Sequence, residues 1–243
     1  MIGPAPCAAP TRATLNRSES AQRPAFYTLR PGRLPYDQGI ALQEKLLAAR
    51  PRTPGDILLL LEHPPTVTCG RRAQAEELLV APPELARRGI AVHDSNRGGA
   101  VTYHGPGQLV GYPIVDLDAL GRDLHRYLRL LEELLIRLLA DYGLRGERSP
   151  GRTGVWVGRE KIAAIGVAVR RWVTWHGFAL NLAQADLAGF AVIVPCGLQG
   201  VRPTSLEDHL GRAVPRAEVE ERLIPLFAEI FGRRYLGSYE TDC

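Results

Sequence analysis

Three segments of the chain are dense in residue types that a protein core does not need. The first, residues 97–108 (RGGAVTYHGPGQ), holds four glycines and a proline around Arg97 and His104. Glycines let the backbone approach a ligand closely and expose its amide donors. Arg97 and His104 would then bind or orient a polar group. The alternative is a tight hairpin with a solvated arginine, and composition does not separate the two.

The second segment combines residues 158–166 (GREKIAAIG) with residues 175–181 (WHGFALN). Lys161 and Lys45 are the two lysines in a chain with 30 lysine and arginine residues. A chain that uses arginine for surface charge is expected to keep lysine where a compact, titratable amine is required. The alternative is a turn lysine on a hairpin, which is the commoner case for a lysine taken alone.

The third segment, residues 193–197 (IVPCG), places Cys196 after an apolar run and a proline and before a glycine. A turn here would present the sulfur at a strand end, where its thiolate could act as a nucleophile. A buried structural cysteine is the alternative. Cys69 is the competing thiol, and two further cysteines lie near the mobile chain ends, Cys7 and Cys243.

Helices and strands must position these segments, and the apolar spacing predicts both. Helices are predicted over 36–50, 123–142 (ended by Gly143) and 217–231, with two short helical pieces over 76–89 separated at the two prolines Pro82 and Pro83. Strands are predicted over 56–62, 90–93, 101–103, 109–115, 153–157, 162–169 and 173–182. Short turns link the last three strands, which are therefore expected to be antiparallel. This order implies a single α/β domain.

The two long helices should each bury one apolar stripe. In the central helix the stripe comprises Leu124, Tyr127, Leu128, Leu131, Leu135 and Leu138. In the last helix the inward residues are Val219, Leu223, Leu226, Phe227 and Ile230.

The composition is that of an ordinary globular protein, with 45% hydrophobic and 23% charged residues. No apolar run is long enough for a membrane span, and residues 1–24 lack a secretory signal. We expect those residues to form a disordered leader, with an organellar transit peptide as the alternative, and residues 25–243 to form the domain. The cysteines lack zinc or redox spacing and should be reduced thiols in the cytoplasm. The net charge of +4 is dispersed, without the long basic block typical of nucleic-acid binding, and it also suits an acidic protein partner; the charge alone does not decide between them.

Taken in order, the motifs resemble those of the lipoyl(octanoyl) transferase family. They are RGG and TYHGPGQ within 97–108, KIAAIG at 161–166, HGFALN at 176–181 and PCGL at 195–198, with HPP at 63–65 and GRR at 70–72 in support. The resemblance covers residues 27–236. It implies a mixed, largely antiparallel sheet flanked by helices, as in the catalytic domains of biotin and lipoate protein ligases.

The resemblance also implies an activity and its partners. The enzyme would transfer an octanoyl group from octanoyl-acyl carrier protein to a lysine of lipoyl domains, in lipoate biosynthesis. The acceptors would be 2-oxoacid dehydrogenase subunits and the glycine-cleavage H protein. No cofactor, metal, nucleic acid or membrane would be needed, and a monomer is expected.

Residue roles follow from the same resemblance. Cys196 would carry the acyl group as a thioester, and Lys161 would lower the pKa of Cys196 and act as acid and base. One wall of the acyl site would be formed by Arg97, Gly98, Gly99, Ala100, Val101, Thr102, Tyr103 and His104. The remainder would be formed by Ala164, Ile165, Gly166, Gly177, Phe178 and Ala179.

Three positions depart from the family pattern. Trp172 stands where a small residue, usually glycine, is expected, and could narrow one end of the pocket. Pro203 replaces an expected valine before Thr204. Cys69 replaces an aliphatic residue, which favours a structural role for that thiol.

Two other functions remain open at this point. One is an ATP-dependent lipoate or biotin ligase on the same fold, which would form an acyl adenylate and need no cysteine. The other is a non-catalytic module that binds carrier proteins or lipoyl domains.

Overall fold

The computed structural model describes residues 23–50, 55–185, 187–194 and 201–240. Within them the strands are β1 (Ala25–Arg33), β2 (Gly55–Glu62), β3 (Thr66–Cys69), β4 (Ala91–Asp94), β5 (Val101–His104), β6 (Gln108–Ile114), β7 (Gly146–Ser149), β8 (Arg152–Val157), β9 (Glu160–Arg170), β10 (Val173–Asn181), β11 (Arg202–Pro203) and β12 (Arg234–Ser238). The helices are α1 (Tyr36–Ala49), α2 (Pro82–Arg87), α3 (Leu124–Ala140), α4 (Leu206–Leu210) and α5 (Arg216–Ile230). Short 3-10 segments occupy Ala75–Glu77, Leu117–Leu120 and Leu187–Val192.

The main sheet runs in the order β12-β1-β2-β6-β10-β9-β8-β7, and β11 pairs with β9. The pairs of β1 with β12 and with β2 are parallel, as is the pair of β11 with β9. Every other neighbouring pair in this order is antiparallel. The predicted mixed, largely antiparallel sheet flanked by helices is therefore confirmed.

Strand β2 shows why the sheet is covered on both faces. Leu58 and Leu60 belong to the core beneath α3 and α5, whereas Ile57, Leu59 and Leu61 pack with α1. Side chains alternate between the faces of a strand, so a continuous apolar run indicates two buried faces. The run predicted as a buried strand has this arrangement.

A second sheet has the order β4-β3-β5 and carries a small core of its own. Strand β3 lies between β4 and β5, so residues 95–100 connect two strands that are not neighbours. The alternative of a tight hairpin with a solvated arginine in this glycine-rich segment is therefore wrong. The predicted strands themselves are present.

The long helices match the predicted spans, with corrections in the packing. Tyr127, Leu131, Leu135 and Leu138 are buried, but Leu124 is 37% exposed because it lies in the first turn of α3. In α5, Ile224 is buried, whereas two residues of the predicted stripe are only partly buried, Leu226 and Ile230.

The capping residues define where these helices begin and end. Asp123 caps α3 by accepting from the Arg126 N–H, and Gly143, with φ of +75°, follows its end. The prolines at 82 and 83 form the first turn of α2, where a missing N–H costs no hydrogen bond. None of the described helices is long and apolar enough to cross a membrane.

Candidate active site

Two adjoining cavities lie where β9 and β10 face the second sheet. One is lined by Lys161 and the small residue Ala163, together with Phe190 and Val201. The other is lined by residues of the glycine-rich segment and by 164–166 and 176–179. The two linings share three residues: Thr102, Ala164 and Ala179. Together they form a slot, which we call the central slot.

Glycines permit the backbones around this slot to approach each other. A Cβ at Gly166 would lie 2.8 Å from the carbonyl oxygen of Gly98, and one at Gly177 would lie 2.2 Å from that of Gly111. Neither position can accept a side chain without displacing backbone. Glycine at these two positions therefore serves the close packing of neighbouring backbones.

Lys161 lies at one end of the slot, on β9, and is only 8% exposed. Its ammonium nitrogen is 5.0 Å from the centroid of the Trp156 ring, in a cation–π contact. Its carbonyl oxygen accepts a hydrogen bond of 3.0 Å from the Thr204 N–H. The alternative of a turn lysine on a hairpin is correct about the β8–β9 hairpin but wrong about the turn, because Lys161 belongs to strand β9 and its side chain is buried against the cavity.

Cys196 lies outside the described residues, as do the rest of positions 195–200. The described chain on both sides of it does reach the Lys161 cavity. Phe190 lines this cavity from before the gap, and Val201 lines it from after the gap.

The Arg97 side chain is buried and donates hydrogen bonds to strand β3 of the second sheet. Its Nη2 donates to the carbonyl oxygen of Thr68 at 2.6 Å and to the Thr68 hydroxyl at 2.8 Å. Its Nη1 donates to the Gly98 carbonyl oxygen at 3.1 Å. The guanidinium thereby fixes the glycine-rich segment against β3, and it also lines the slot.

A group of uncharged histidines and tyrosines borders the far part of the slot. His63 donates from Nδ1 to the carbonyl oxygen of Leu34, so its Nε2 accepts from the Tyr112 hydroxyl at 2.8 Å. His104 donates from Nδ1 to Gln108 at 3.1 Å. Burial lowers the pKa of His63, and burial, His63 and Arg97 lower the pKa of His104 well below its ordinary value. These imidazoles are therefore neutral at physiological pH.

His176 has an unusual backbone conformation in the middle of β10, with φ of +54°. Its N–H donates to Gln43 Oε1 at 2.7 Å, and its Nε2 donates to Asn96 Oδ1 at 2.8 Å. The side chain is buried, and burial together with Arg97 lowers its pKa to about 3. Positive φ at a residue with a Cβ persists only where the surroundings enforce it. Here Gln43 and Asn96 do so.

The family is established by sequence comparison. The lipoyl protein ligase A/B catalytic domain matches residues 35–228, which include the described walls of the slot and Cys196. The chain belongs to this family.

Two proteins of similar sequence are named octanoyltransferase. The protein from Geobacter metallireducens is 50% identical over 204 residues, which cover 84% of this chain and 92% of the relative. The protein from Chloroflexus aurantiacus is 53% identical over 204 residues, covering 82% and 91%. The prediction of an octanoyltransferase, an acyltransferase enzyme of lipoate biosynthesis, is confirmed by these relatives.

Solved structures show the same fold at much lower identity. Lipoate-protein ligase A bound with ATP has a TM-score of 0.72 and 21% identity, over 91% of this chain and 90% of that chain. Biotin protein ligase from Aquifex aeolicus, in complex with biotin and ATP, has a TM-score of 0.52 and 13% identity, over 86% and 70%. The predicted likeness to the catalytic domains of lipoate and biotin ligases is confirmed.

The structure brings most of the predicted substrate-binding residues of this lipoyl ligase family member to the slot. Arg97, Gly99, Ala100, Thr102, His104, Ala164, Ile165, Gly166, Gly177, Phe178 and Ala179 line the second cavity, and Tyr103 lines the first. Gly98 donates from its N–H to the carbonyl oxygen of Val167 at 2.8 Å, and Val101 belongs to the core of the second sheet. The roles of all these residues remain predictions.

Sequence reasoning missed several residues of the site. Tyr36 and Tyr112 line the slot from α1 and β6, far from the motifs in sequence. His176 belongs to the HGFALN motif, but sequence reasoning gave it no role of its own. The one signal for such a role was a polar residue before Gly177 in a strand that is otherwise largely apolar. Pro203 also lines the Lys161 cavity and is paired with Lys161 through β11.

Trp172 does not shape the slot, which corrects the expectation drawn from its size. It lies at the tip of the β9–β10 hairpin, 41% exposed, beside the Arg122 guanidinium. It lines a separate surface hollow with Leu124 and Arg171. Its φ of +64° explains why a glycine is expected at this position.

Cys69 is the competing thiol, and it lies half-buried in β3. Burial and the neighbouring Asp94 raise its pKa, which keeps the thiol protonated and weakly nucleophilic. Among the residues that the structure describes, no three histidine, cysteine or acidic side chains converge on a point that could hold a metal ion.

Proposed function

We propose that the chain transfers its octanoyl group through a thioester on Cys196, with Lys161 as the partner of that sulfur. The observation that carries the proposal is the shared cavity: Lys161 lines it together with Phe190 and Val201, which flank Cys196 in sequence. An ammonium beside a thiol favours the thiolate by direct charge pairing. Lys161 would thus lower the pKa of Cys196.

The proposed reaction has two balanced steps. The Cys196 thiolate attacks the thioester carbonyl of the donor, and the donor thiolate leaves and takes up a proton. The amine of the acceptor lysine then attacks the new thioester, loses a proton and forms the amide. Cys196 leaves as the thiolate, and Lys161 relays protons between the incoming amine and the leaving thiolates.

The donor we propose is octanoyl-acyl carrier protein, and the acceptors are lipoyl domains, including those of 2-oxoacid dehydrogenases and the glycine-cleavage H protein. The donor is already an activated thioester, so its first step needs no nucleotide. The net charge of +4 would assist encounter with acidic partner proteins. The slot whose floor is formed by Ala164 and Ala179 is apolar there and would take a hydrocarbon chain.

Intact-protein mass spectrometry tests the proposal. The protein is incubated with octanoyl-carrier protein without ATP, and a lipoyl domain is then added. We expect a gain of one octanoyl group on the protein, followed by its loss as the lipoyl domain gains the same mass. Transfer that requires ATP would support the ligase alternative, and binding without any label would support a non-catalytic module.

Variants assign the residues in the same assay. Cys196→Ala should abolish the acyl-enzyme, whereas Cys69→Ala should retain it. Lys161→Ala should slow transfer by about 10²- to 10⁴-fold, the usual contribution of a general acid–base group. Lys45→Ala, which removes the exposed lysine of α1, is the matched control. Octanoyl label on the Cys196→Ala protein would overturn the nucleophile assignment.

A further inference from the structure

Gly154, on β8, leaves the space that the Lys161 side chain occupies. A Cβ at Gly154 would lie 2.8 Å from Lys161 Cε, 3.3 Å from its Nζ and 2.6 Å from the carbonyl oxygen of Ala163. The φ of Gly154 is +136°, which residues with a Cβ rarely adopt. The register of β8 against β9 shifts just after this point, between Val155 and Trp156. The lysine therefore lies against bare backbone on one side and the Trp156 ring on the other.

A buried carboxylate holds Gly154 from behind. Glu132 lies on α3, is 2% exposed, and accepts a hydrogen bond of 3.4 Å from the Gly154 N–H through Oε1. Its Oε2 accepts from Arg129 at 2.6 Å and from Arg148 at 3.1 Å. Burial of a carboxylate is costly unless it is paired and hydrogen-bonded. Glu132 uses one oxygen for cations and the other for the backbone of Gly154.

We propose that Gly154 and Glu132 are positioning residues for Lys161, an inference that rests on the proposed function. Glu132 fixes the unusual backbone of Gly154, and that backbone fixes the path of the lysine side chain toward the cavity. Neither residue touches the reacting atoms. A misplaced ammonium would stabilise the Cys196 thiolate less, because charge pairing weakens with distance.

The competing explanation is that Glu132 only joins α3 to β7 through Arg148. A purely structural role would change the free energy of unfolding without changing the chemistry at the cysteine. The two explanations therefore differ in the pH dependence of Cys196 reactivity, which reports how well the thiolate is stabilised.

The test is the pH profile of Cys196 alkylation by iodoacetamide, followed by peptide mass spectrometry. Gly154→Ala should raise the midpoint toward that of Lys161→Ala and slow octanoyl transfer at least tenfold. The matched control is Gly151→Ala, since Gly151 also has a positive φ, of +71°, but a Cβ there would meet nothing within 4 Å. In the double variant Gly154→Ala/Lys161→Ala, the Gly154 change should add little to the shift in midpoint caused by Lys161→Ala, because both changes remove the same interaction between Lys161 and Cys196.

Glu132 provides a second route if Gly154→Ala fails to fold. Glu132→Ala should also raise the midpoint, and Glu132→Gln should restore it, because glutamine keeps an acceptor for the Gly154 N–H. Glu133→Ala removes another Arg148 partner without touching Gly154 and should leave the midpoint unchanged. A wild-type midpoint in both Gly154→Ala and Glu132→Ala, with Lys161→Ala shifted, overturns the positioning role alone. Unchanged alkylation and transfer in Lys161→Ala would instead remove the proposed function on which it rests.

Discussion

Ala164 on β9 and Ala179 on β10 are direct partners in the antiparallel register, and both line the two cavities of the central slot. Paired residues of neighbouring strands point to the same face of a sheet, so the two methyl groups lie side by side and form the floor of the slot. This pair is the point at which the Lys161 cavity and the histidine-lined cavity adjoin.

Ala164→Leu should block the slot at this point. We expect the apparent KM for an octanoyl donor to rise at least tenfold, while transfer from a butyryl donor changes less, because the shorter chain ends before the obstruction. Steady-state kinetics with both donors measures the ratio. Ala91→Leu, on the exposed part of β4, is the control. Equal losses for the two donors would contradict passage of the chain over these alanines.

His176 should make the protein sensitive to acid. Burial lowers the folded-state pKa of His176 from 6.5 to about 3, so between these values the unfolded chain binds more protons. The free energy of unfolding should therefore fall as the pH drops below about 6.5, by about 1.4 kcal/mol per pH unit for this residue. Urea denaturation between pH 7.5 and 4.5 measures the slope.

His176→Asn provides the comparison, because asparagine tolerates positive φ and carries no titrating group. The slope of this variant should be smaller by the contribution of one histidine, with His125→Gln as a control for loss of an exposed imidazole. A slope equal to that of the parent protein would contradict a buried, neutral His176.

Trp172 should carry backbone strain. Arg171 and Trp172 both have positive φ at the hairpin tip, as in a type I′ turn, which favours glycine. Trp172→Gly and Trp172→Ala both lose the contact with Arg122, but only glycine removes the penalty on φ. We expect Trp172→Gly to be more stable than Trp172→Ala by about 1 kcal/mol in chemical denaturation.

The same two variants test where Trp172 lies relative to the slot. Neither should alter the preference for acyl chain length, because the indole is on the surface at the hairpin tip. A changed ratio between octanoyl and longer donors would contradict this location.

Asp56 anchors two arginines in the core region beneath β1. Its Oδ2 accepts from Arg233 Nε at 2.6 Å and its Oδ1 from Arg50 Nη2 at 2.7 Å; Asp56 and Arg233 are both buried. Asp56→Asn leaves the Arg233 charge uncompensated and should cost about 3–5 kcal/mol of stability. Asp118→Asn breaks the exposed pair with Arg122 and should cost far less, since solvent screens it. Thermal or urea denaturation that ranks the two variants equally would contradict this difference.

The motif residues of the slot could be predicted from sequence because they are either a rare residue type in this chain or glycines that interrupt an apolar run. Lys161 is a rare lysine in an arginine-rich chain, and Gly166 and Gly177 interrupt strands that otherwise read as apolar. The apolar runs at 56–62 and 173–182 likewise allowed β2 and β10 to be predicted as strands.

Residues contributed by strand order could not be found in this way. Tyr36 and Tyr112 reach the slot only because β6 pairs with β10 and α1 covers that face. The strands β1, β3, β7 and β12 were missed because they are short, polar or broken by Pro31 and Gly32, so no apolar period marks them. The contact of Gly154 with Lys161 depends on a register shift, which leaves no trace in a linear pattern.

The hydrogen bond from the Thr204 N–H to the Lys161 carbonyl oxygen has a mechanical consequence. Through this bond Thr204, which follows Cys196 by eight positions, is attached to the backbone of Lys161, the lysine proposed as the partner of Cys196. Motion of this edge of the sheet would move Thr204 and the Lys161 amine together. Because Arg202 and Pro203 also pair with this strand, insertions between positions 196 and 202 would lengthen the chain that joins Cys196 to the first residue paired with β9.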